Sequence, residues 1–313
     1  MSSYTKKFFY VLNCLFALSL ISFSFPAIAT TFSYKEGVSK ANALHLSMPA
    51  AEKDGRIQTV NRKGAMSPRI DYVTSQFLKN LAGKTVLEIG AAYGNVLLQA
   101  LQYAPDVVYH VNDMDERHVL IAARRVHDAI VAGKISAIAA DNVSFLVGDF
   151  PEHIDLKNNF YDAVLIARVL HFFDPEKLKA SIRKIFDVLK DEGRVYIIAV
   201  TPYIKRFESF IPEYEKRLSD GDAYPGYVSS LLPYINPDVT SEQVKGNMHQ
   251  DSFMFLDDVV LRRLLIEAGF KVLESGMIPL DYCSEAYELD GRENVILIAE
   301  KSKKQQSLST DNE

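Results

Sequence analysis

From about residue 67 onward, short continuous apolar runs alternate with amphipathic stretches. Thr85–Ile89, Asp106–Val111, Val143–Val147, Tyr161–Ala167 and Arg194–Val200 read as buried strands. Between them, Val96–Tyr103, Glu116–Val131 and Pro175–Leu189 carry apolar residues at helical spacing. The last is sharply marked: Asp174 is placed to cap it, Pro175 opens it, and Leu178, Ile182, Ile185, Phe186 and Leu189 share one face. An earlier helix is predicted to open at Ser67-Pro68 and to carry Ile70, Val73, Phe77, Leu78 and Leu81. The pattern resumes late with a helix over Asp257–Ala268, stopped by Gly269, and strands at Phe270–Leu273 and Asn294–Ala299. Strict alternation of apolar strands with helices predicts a doubly wound α/β domain: a mostly parallel seven-stranded sheet with helices on both faces.

The flanks break this pattern. Lys6 and Lys7 precede an apolar run from Phe8 to Phe25, followed by Pro26 and the small-residue triplet Ala27-Ile28-Ala29. That order resembles a secretory signal peptide cut after Ala29, which predicts an exported domain. An uncleaved membrane anchor through residues 8–25 is the alternative, and a cytoplasmic enzyme follows if the leader does not function. Residues 30–65 read as an extended arm without sustained period, 66–301 as the main domain and 302–313 as a polar tail. An insertion at about 202–252, rich in Tyr, Pro, Gly and Asp, is too long for an ordinary connection; its aromatics argue for order, and it reads as a substrate cover, with a dimer contact or packing cover as the alternative.

Composition narrows the function classes. The 313 residues supply apolar material for one sizeable core. A formal net charge of −5 leaves no broad basic surface, so duplex nucleic acid is not an expected partner. Cys14 and Cys283 are the sole cysteines, too few for a disulfide framework or a cysteine zinc site, and no metal is predicted.

The strongest local signal is Val86-Leu-Glu-Ile-Gly-Ala-Ala-Tyr-Gly-Asn95, a buried strand that runs into a small-residue turn and then a helix. Gly90 allows positive φ and close approach of a ligand, Ala91 and Ala92 keep the cradle shallow, and Gly94 starts the helix against the sheet. Glu88 at the strand end is placed to meet the positive end of an amino-acid-like ligand. About twenty residues on, Val111-Asn-Asp-Met-Asp115 ends the second strand, where an acid can accept both hydroxyls of a ribose. Asp113 is the candidate; Asp115 reads as a helix cap.

The turn resembles the first motif of the class I S-adenosylmethionine (SAM) dependent methyltransferases, acid-x-Gly-x-Gly-x-Gly, with Ala92 in place of the middle glycine. Further segments resemble the same family: Val147-Gly-Asp-Phe150, Phe160 to Asp174, Leu189-Lys-Asp-Glu-Gly-Arg-Val195 and Leu264-Leu-Ile-Glu-Ala-Gly-Phe270. The resemblance covers about residues 84–200 and 253–300 and implies a Rossmann-like domain with SAM as cofactor. It further implies that Asp113 and Met114 hold the ribose end, that Asp149 reads the adenine amino group beside Phe150, and that Ala167 and Arg168 lie at the ligand edge. The reaction it implies is in-line displacement on the activated methyl group, in which proximity and alignment supply most of the acceleration.

His171 is the best-placed candidate base, with a buried imidazole bonded to backbone as its structural alternative; Tyr203 and His249 are candidate substrate contacts. The acceptor, a small molecule or a protein, is not defined by the sequence. A catalytically silent SAM-binding protein is the competing reading. A nicotinamide oxidoreductase is disfavoured, because Gly90-Ala-Ala-Tyr-Gly94 lacks the Gly-x-Gly pair that seats a pyrophosphate.

Overall fold

The computed structural model describes residues 30–53, 55–240, 252–280 and 285–303. The predicted leader and His249 lie outside them. Among the described residues no helix is long and apolar enough to cross a membrane.

The sheet has eight strands in the order β1-β6-β5-β4-β7-β8-β12-β11. These are β1 Thr30–Ser33, β4 Thr85–Ile89, β5 Val108–Asp113, β6 Val143–Val147, β7 Tyr161–Ala167, β8 Leu189–Val200, β11 Phe270–Ile278 and β12 Asn294–Lys301. Pairings among β6, β5, β4, β7 and β8 are parallel, and the outer ones are antiparallel. Seven strands follow the predicted doubly wound plan. The eighth, β1, corrects the reading of residues 30–65 as a purely extended arm: it pairs antiparallel with β6, Phe32 stacking on Phe145 at 5.8 Å. A helix α1 (Tyr34–Ala43) follows directly, nucleated by a reciprocal Ser33–Glu36 capping box. Two short strands, β2 (Ile57–Gln58) and β3 (Ala65–Met66), form a hairpin further along the arm.

Helices cover both faces. One core contains Val73 and Phe77 of α2 (Tyr72–Leu78), Leu97 and Leu101 of α3 (Asn95–Tyr103), and Val119, Leu120 and Val126 of α4 (Glu116–Val131) against Val111, Leu165 and Ile198. The short α5 (Ala137–Asp141) adds Ala139 and Ala140. The other core packs Leu178, Ile182 and Ile185 of α6 (Pro175–Val188) with Leu261, Leu264 and Leu265 of α8 (Asp258–Ala268) onto Leu87, Val164 and Ile197. α6 begins as predicted, Asp174 accepting from the Lys177 N–H at 2.8 Å with Pro175 behind it. It stops at Val188, because Leu189 turns extended and opens β8.

The helix placed at Ser67-Pro68 instead starts at Tyr72, capped by Asp71, whose carboxylate accepts from the N–H and hydroxyl of Thr74. A buried aspartate satisfying two donors outweighs the preference of proline for a first helical turn. β5 runs two residues later than predicted, so Asp113 is its last residue.

The insertion is ordered where described. It contains α7 (Ile211–Ser219) and β9 (Tyr227–Val228), pairs β9 with β10 (Phe253–Met254) just beyond it, and buries Tyr203, Phe207, Phe210 and Tyr214 with Phe255 as a separate aromatic cluster.

Candidate active site

Parallel strands of an open α/β sheet bring their carboxyl ends to one edge, and the turn after β4 lies there. Gly90, Ala92 and Gly94 all take left-handed backbone, at φ 71°, 47° and 68°. At Gly90 a Cβ would fall 2.3 Å from Val169 Cγ2, and at Gly94 it would meet the Ala122 methyl at 3.0 Å. Glycine at 90 is therefore required by both conformation and space. The Gly90 and Ala91 N–H groups donate to the Asn112 carbonyl, and Ala91 is buried in the core.

Asp113 ties this turn to β5. Its Oδ2 accepts from the Ala92 N–H at 2.9 Å; its Oδ1 accepts from the Asp115 N–H at 3.0 Å and from His118 Nδ1 at 2.9 Å. A carboxylate has about four acceptor sites, so capacity remains for a ligand hydroxyl. His118 was not legible as part of the site: a histidine at the third position of α4 is an ordinary helix residue until its ring is placed. It is buried against Tyr93, ring centroids 5.3 Å apart, with Nε2 lacking a hydrogen-bond partner among the described residues and lying 4.0 Å from Asp115 Oδ2. Asp115 caps α4 at Arg117, as predicted. Met114 is 48% exposed beside Asp113, an apolar surface at the strand end.

Three candidates have surroundings that the sequence did not show. Glu88 does not present a charge to a ligand. It is buried, accepts the Tyr109 hydroxyl at 2.7 Å, and has its carboxyl pushed up to about 8 by burial, with the Asp113 charge adding to the rise. Asp149 is ion-paired, both oxygens taking Lys177 Nζ at 2.7 Å, and like Asp113 it retains acceptor capacity. Phe150 packs in the core with Ile89, Leu146 and Ile154 instead of facing the edge.

The protonated Glu88 has a pH signature. An unfolded glutamate loses its proton near 4.5 whereas the folded one keeps it to about 8, so this group's contribution to stability falls as pH rises across that window. Glu88→Gln should match the wild type near pH 5 and exceed it by at least about 1 kcal/mol at pH 8 in urea unfolding. Parallel pH profiles for the two proteins would contradict this.

On the neighbouring loop after β7, Ala167 ends the strand and Arg168 takes φ 57°, its N–H donating to the Ile198 carbonyl. The Arg168 guanidinium donates to Asp71 Oδ2 at 3.1 Å, so it anchors the cap of α2. Asp71 was missed because the helix start was placed at Pro68. His171 is buried, stacked on Phe253 at 4.9 Å and beside Phe172 at 4.1 Å, with Nδ1 unpartnered among the described residues. Burial first, and the Arg168 charge second, push its imidazole down to about 3, so the ring is neutral at physiological pH. Tyr203 is buried, with the Arg292 guanidinium 3.6 Å over its ring.

The arm closes over this edge. Ile57 and Met66 pack with Tyr93 and Ile121, and the Tyr93 hydroxyl donates to the Gln58 carbonyl at 2.9 Å.

The strand order, the turn after β4 and the acid ending β5 define a Rossmann-like α/β domain. Residues 86–193 match the family model described as a methyltransferase domain. No curated protein matches the chain. Among solved structures, a SAM-dependent methyltransferase from Methanosarcina mazei superposes with a TM-score of 0.53 at 14% identity, over 73% of this chain and 98% of that one. A magnesium protoporphyrin IX methyltransferase from Synechocystis PCC 6803 with bound S-adenosylhomocysteine (SAH) gives a TM-score of 0.47 at 16% identity, over 74% and 81%. At such identities the likeness is one of fold.

Proposed function

We propose that the chain is a SAM-dependent methyltransferase acting on an acceptor at the carboxyl edge of the sheet. One observation carries it: the segment that matches a methyltransferase domain contains the left-handed turn at Gly90, which no side chain can fill, joined to Asp113 by the Ala92 N–H.

The residues present fit the cofactor. The turn leaves a shallow backbone surface, Asp113 retains acceptor capacity for ribose hydroxyls, and Met114 offers an exposed apolar flank to a purine. Bound there, SAM supplies a methyl group already activated on a sulfonium. Asp113 then positions the ribose end, and Ala92 holds Asp113 in place. His171, neutral and with pKa near 3, is a weak proton acceptor; its role is to orient a group through Nδ1 while Phe172 and Phe253 exclude water. Alignment is left to supply most of the acceleration. Binding of SAH but not NAD by calorimetry tests the cofactor assignment; transfer of a labelled methyl group to any lysate component separates an enzyme from a silent binder.

We also propose export, from the Lys6-Lys7, apolar run and Ala27-Ile28-Ala29 order. N-terminal sequencing of protein from its own cell should start at or near Thr30. An intact Met1 in the membrane fraction would point to an anchor, and an intact soluble Met1 would contradict export.

A further inference from the structure

Three segments distant in sequence meet at the hydroxyl of Tyr287: the arm, the insertion after β8 and the loop before β12. Arg206 Nη1 donates to it at 2.7 Å and Arg56 Nη1 at 3.3 Å. Both guanidiniums also lie over the same ring, 4.4 Å and 5.0 Å from its centroid. Two permanent cations that share one oxygen sit within roughly 6 Å of each other and repel. A tyrosine hydroxyl accepts from both without neutralising either. Glu52, 3.7 Å from Arg56, supplies a counter-charge on that side, so the imbalance lies with Arg206. Arg206 has no carboxylate partner among the described residues; it is 7% exposed and its Nε is buried and unpartnered. A buried guanidinium with an idle donor is costly unless an anion completes it.

The cluster borders the candidate active site. Arg56 directly precedes β2, which packs on Tyr93 of the glycine turn. Gly64, in the same hairpin, lies against the Phe172 ring, where a Cβ would come within 3.3 Å. Arg206 precedes Phe207, whose ring is 6.4 Å from Phe253, the ring stacked on His171.

We infer that Arg56, Arg206 and Tyr287 form the anion-recognising end of the acceptor site, which takes the carboxylate or phosphate of a small-molecule acceptor; this rests on the methyltransferase reading. Planar guanidinium forks match either oxyanion bidentately, and the surrounding Phe172, Phe207 and Phe253 suit an apolar body on the same molecule.

The experiment titrates the full chain, with SAH present, against phenyl phosphate, phenylacetate, benzyl alcohol and benzylammonium. Both anions should bind at least about tenfold more tightly than the alcohol or the cation, and the tighter of the two names the acceptor's anionic group. Arg56→Gln should weaken the preferred anion at least about tenfold, and Arg206→Lys, which keeps charge and loses the fork, should weaken it too. Lysine, by keeping the charge at this buried position, also protects the fold of the variant. Undetectable binding of both anions at millimolar concentration would overturn the inference. So would equal binding of all four probes, or an unchanged anion affinity in folded Arg56→Gln. SAH is titrated alone in parallel: SAH binding without anion preference rejects only the anion site, whereas absence of SAH binding rejects the reading beneath it.

Discussion

Gly90→Ala is expected to cost the fold about 3 kcal/mol and to abolish measurable SAH binding. Two terms combine. A side chain at φ 71° pays roughly 1–2 kcal/mol for left-handed backbone. Its Cβ would stand 2.3 Å from Val169 Cγ2, in a core where forced insertion of a methyl costs roughly 1–3 kcal/mol. The second term is separable: adding Val169→Ala should recover the packing part of the stability and leave the backbone part. Binding should stay weakened in the double variant, because the left-handed backbone that shapes the turn remains strained by a side chain at 90. Urea midpoints and calorimetry report the two quantities. A Gly90→Ala protein that stays as stable as the wild type and binds SAH normally would refute this account of the turn.

Asp113→Ala should also be severe. The carboxylate satisfies the Ala92 and Asp115 N–H groups and His118 Nδ1, all close to the turn. Removing it leaves buried donors without an acceptor, at roughly 1–3 kcal/mol for each that water does not reach. In the folded variant SAH affinity should fall by about 1.5–3 kcal/mol, the size of hydrogen bonds to a charged group. Asp115→Ala should cost about 1 kcal/mol in stability as a lost helix cap and change affinity little. If the two variants reversed that order in affinity, Asp115 would be the ribose ligand and Asp113 a purely structural clamp.

The contrast between these aspartates marks what the sequence could convey. Strand period, the Asp174-Pro175 start of α6 and Gly269 after α8 act over a few residues, so β6, β7, α4 and the doubly wound plan were legible. The turn at Gly90 was legible for the same reason. Failures came where a distant partner decided a side chain's role. Glu88 is an acid at a strand end until burial, with the Asp113 charge beside it, keeps it protonated; Asp149 is a free carboxylate until Lys177, on the next helix, pairs with it. His118 on Asp113, Asp71 under Arg168, and Arg56 with Arg206 on Tyr287 join residues whose spacing has no local meaning. Strand β1 was missed because four residues with one buried side chain show no readable alternation.

The most direct measurement of the central claim is calorimetric titration of the purified chain with SAH and, separately, with NAD. Saturable SAH binding at one site per chain, weakened in Asp113→Ala and abolished in Gly90→Ala, with no heat from NAD, is the predicted result. Tight NAD binding with no response to SAH would contradict the account.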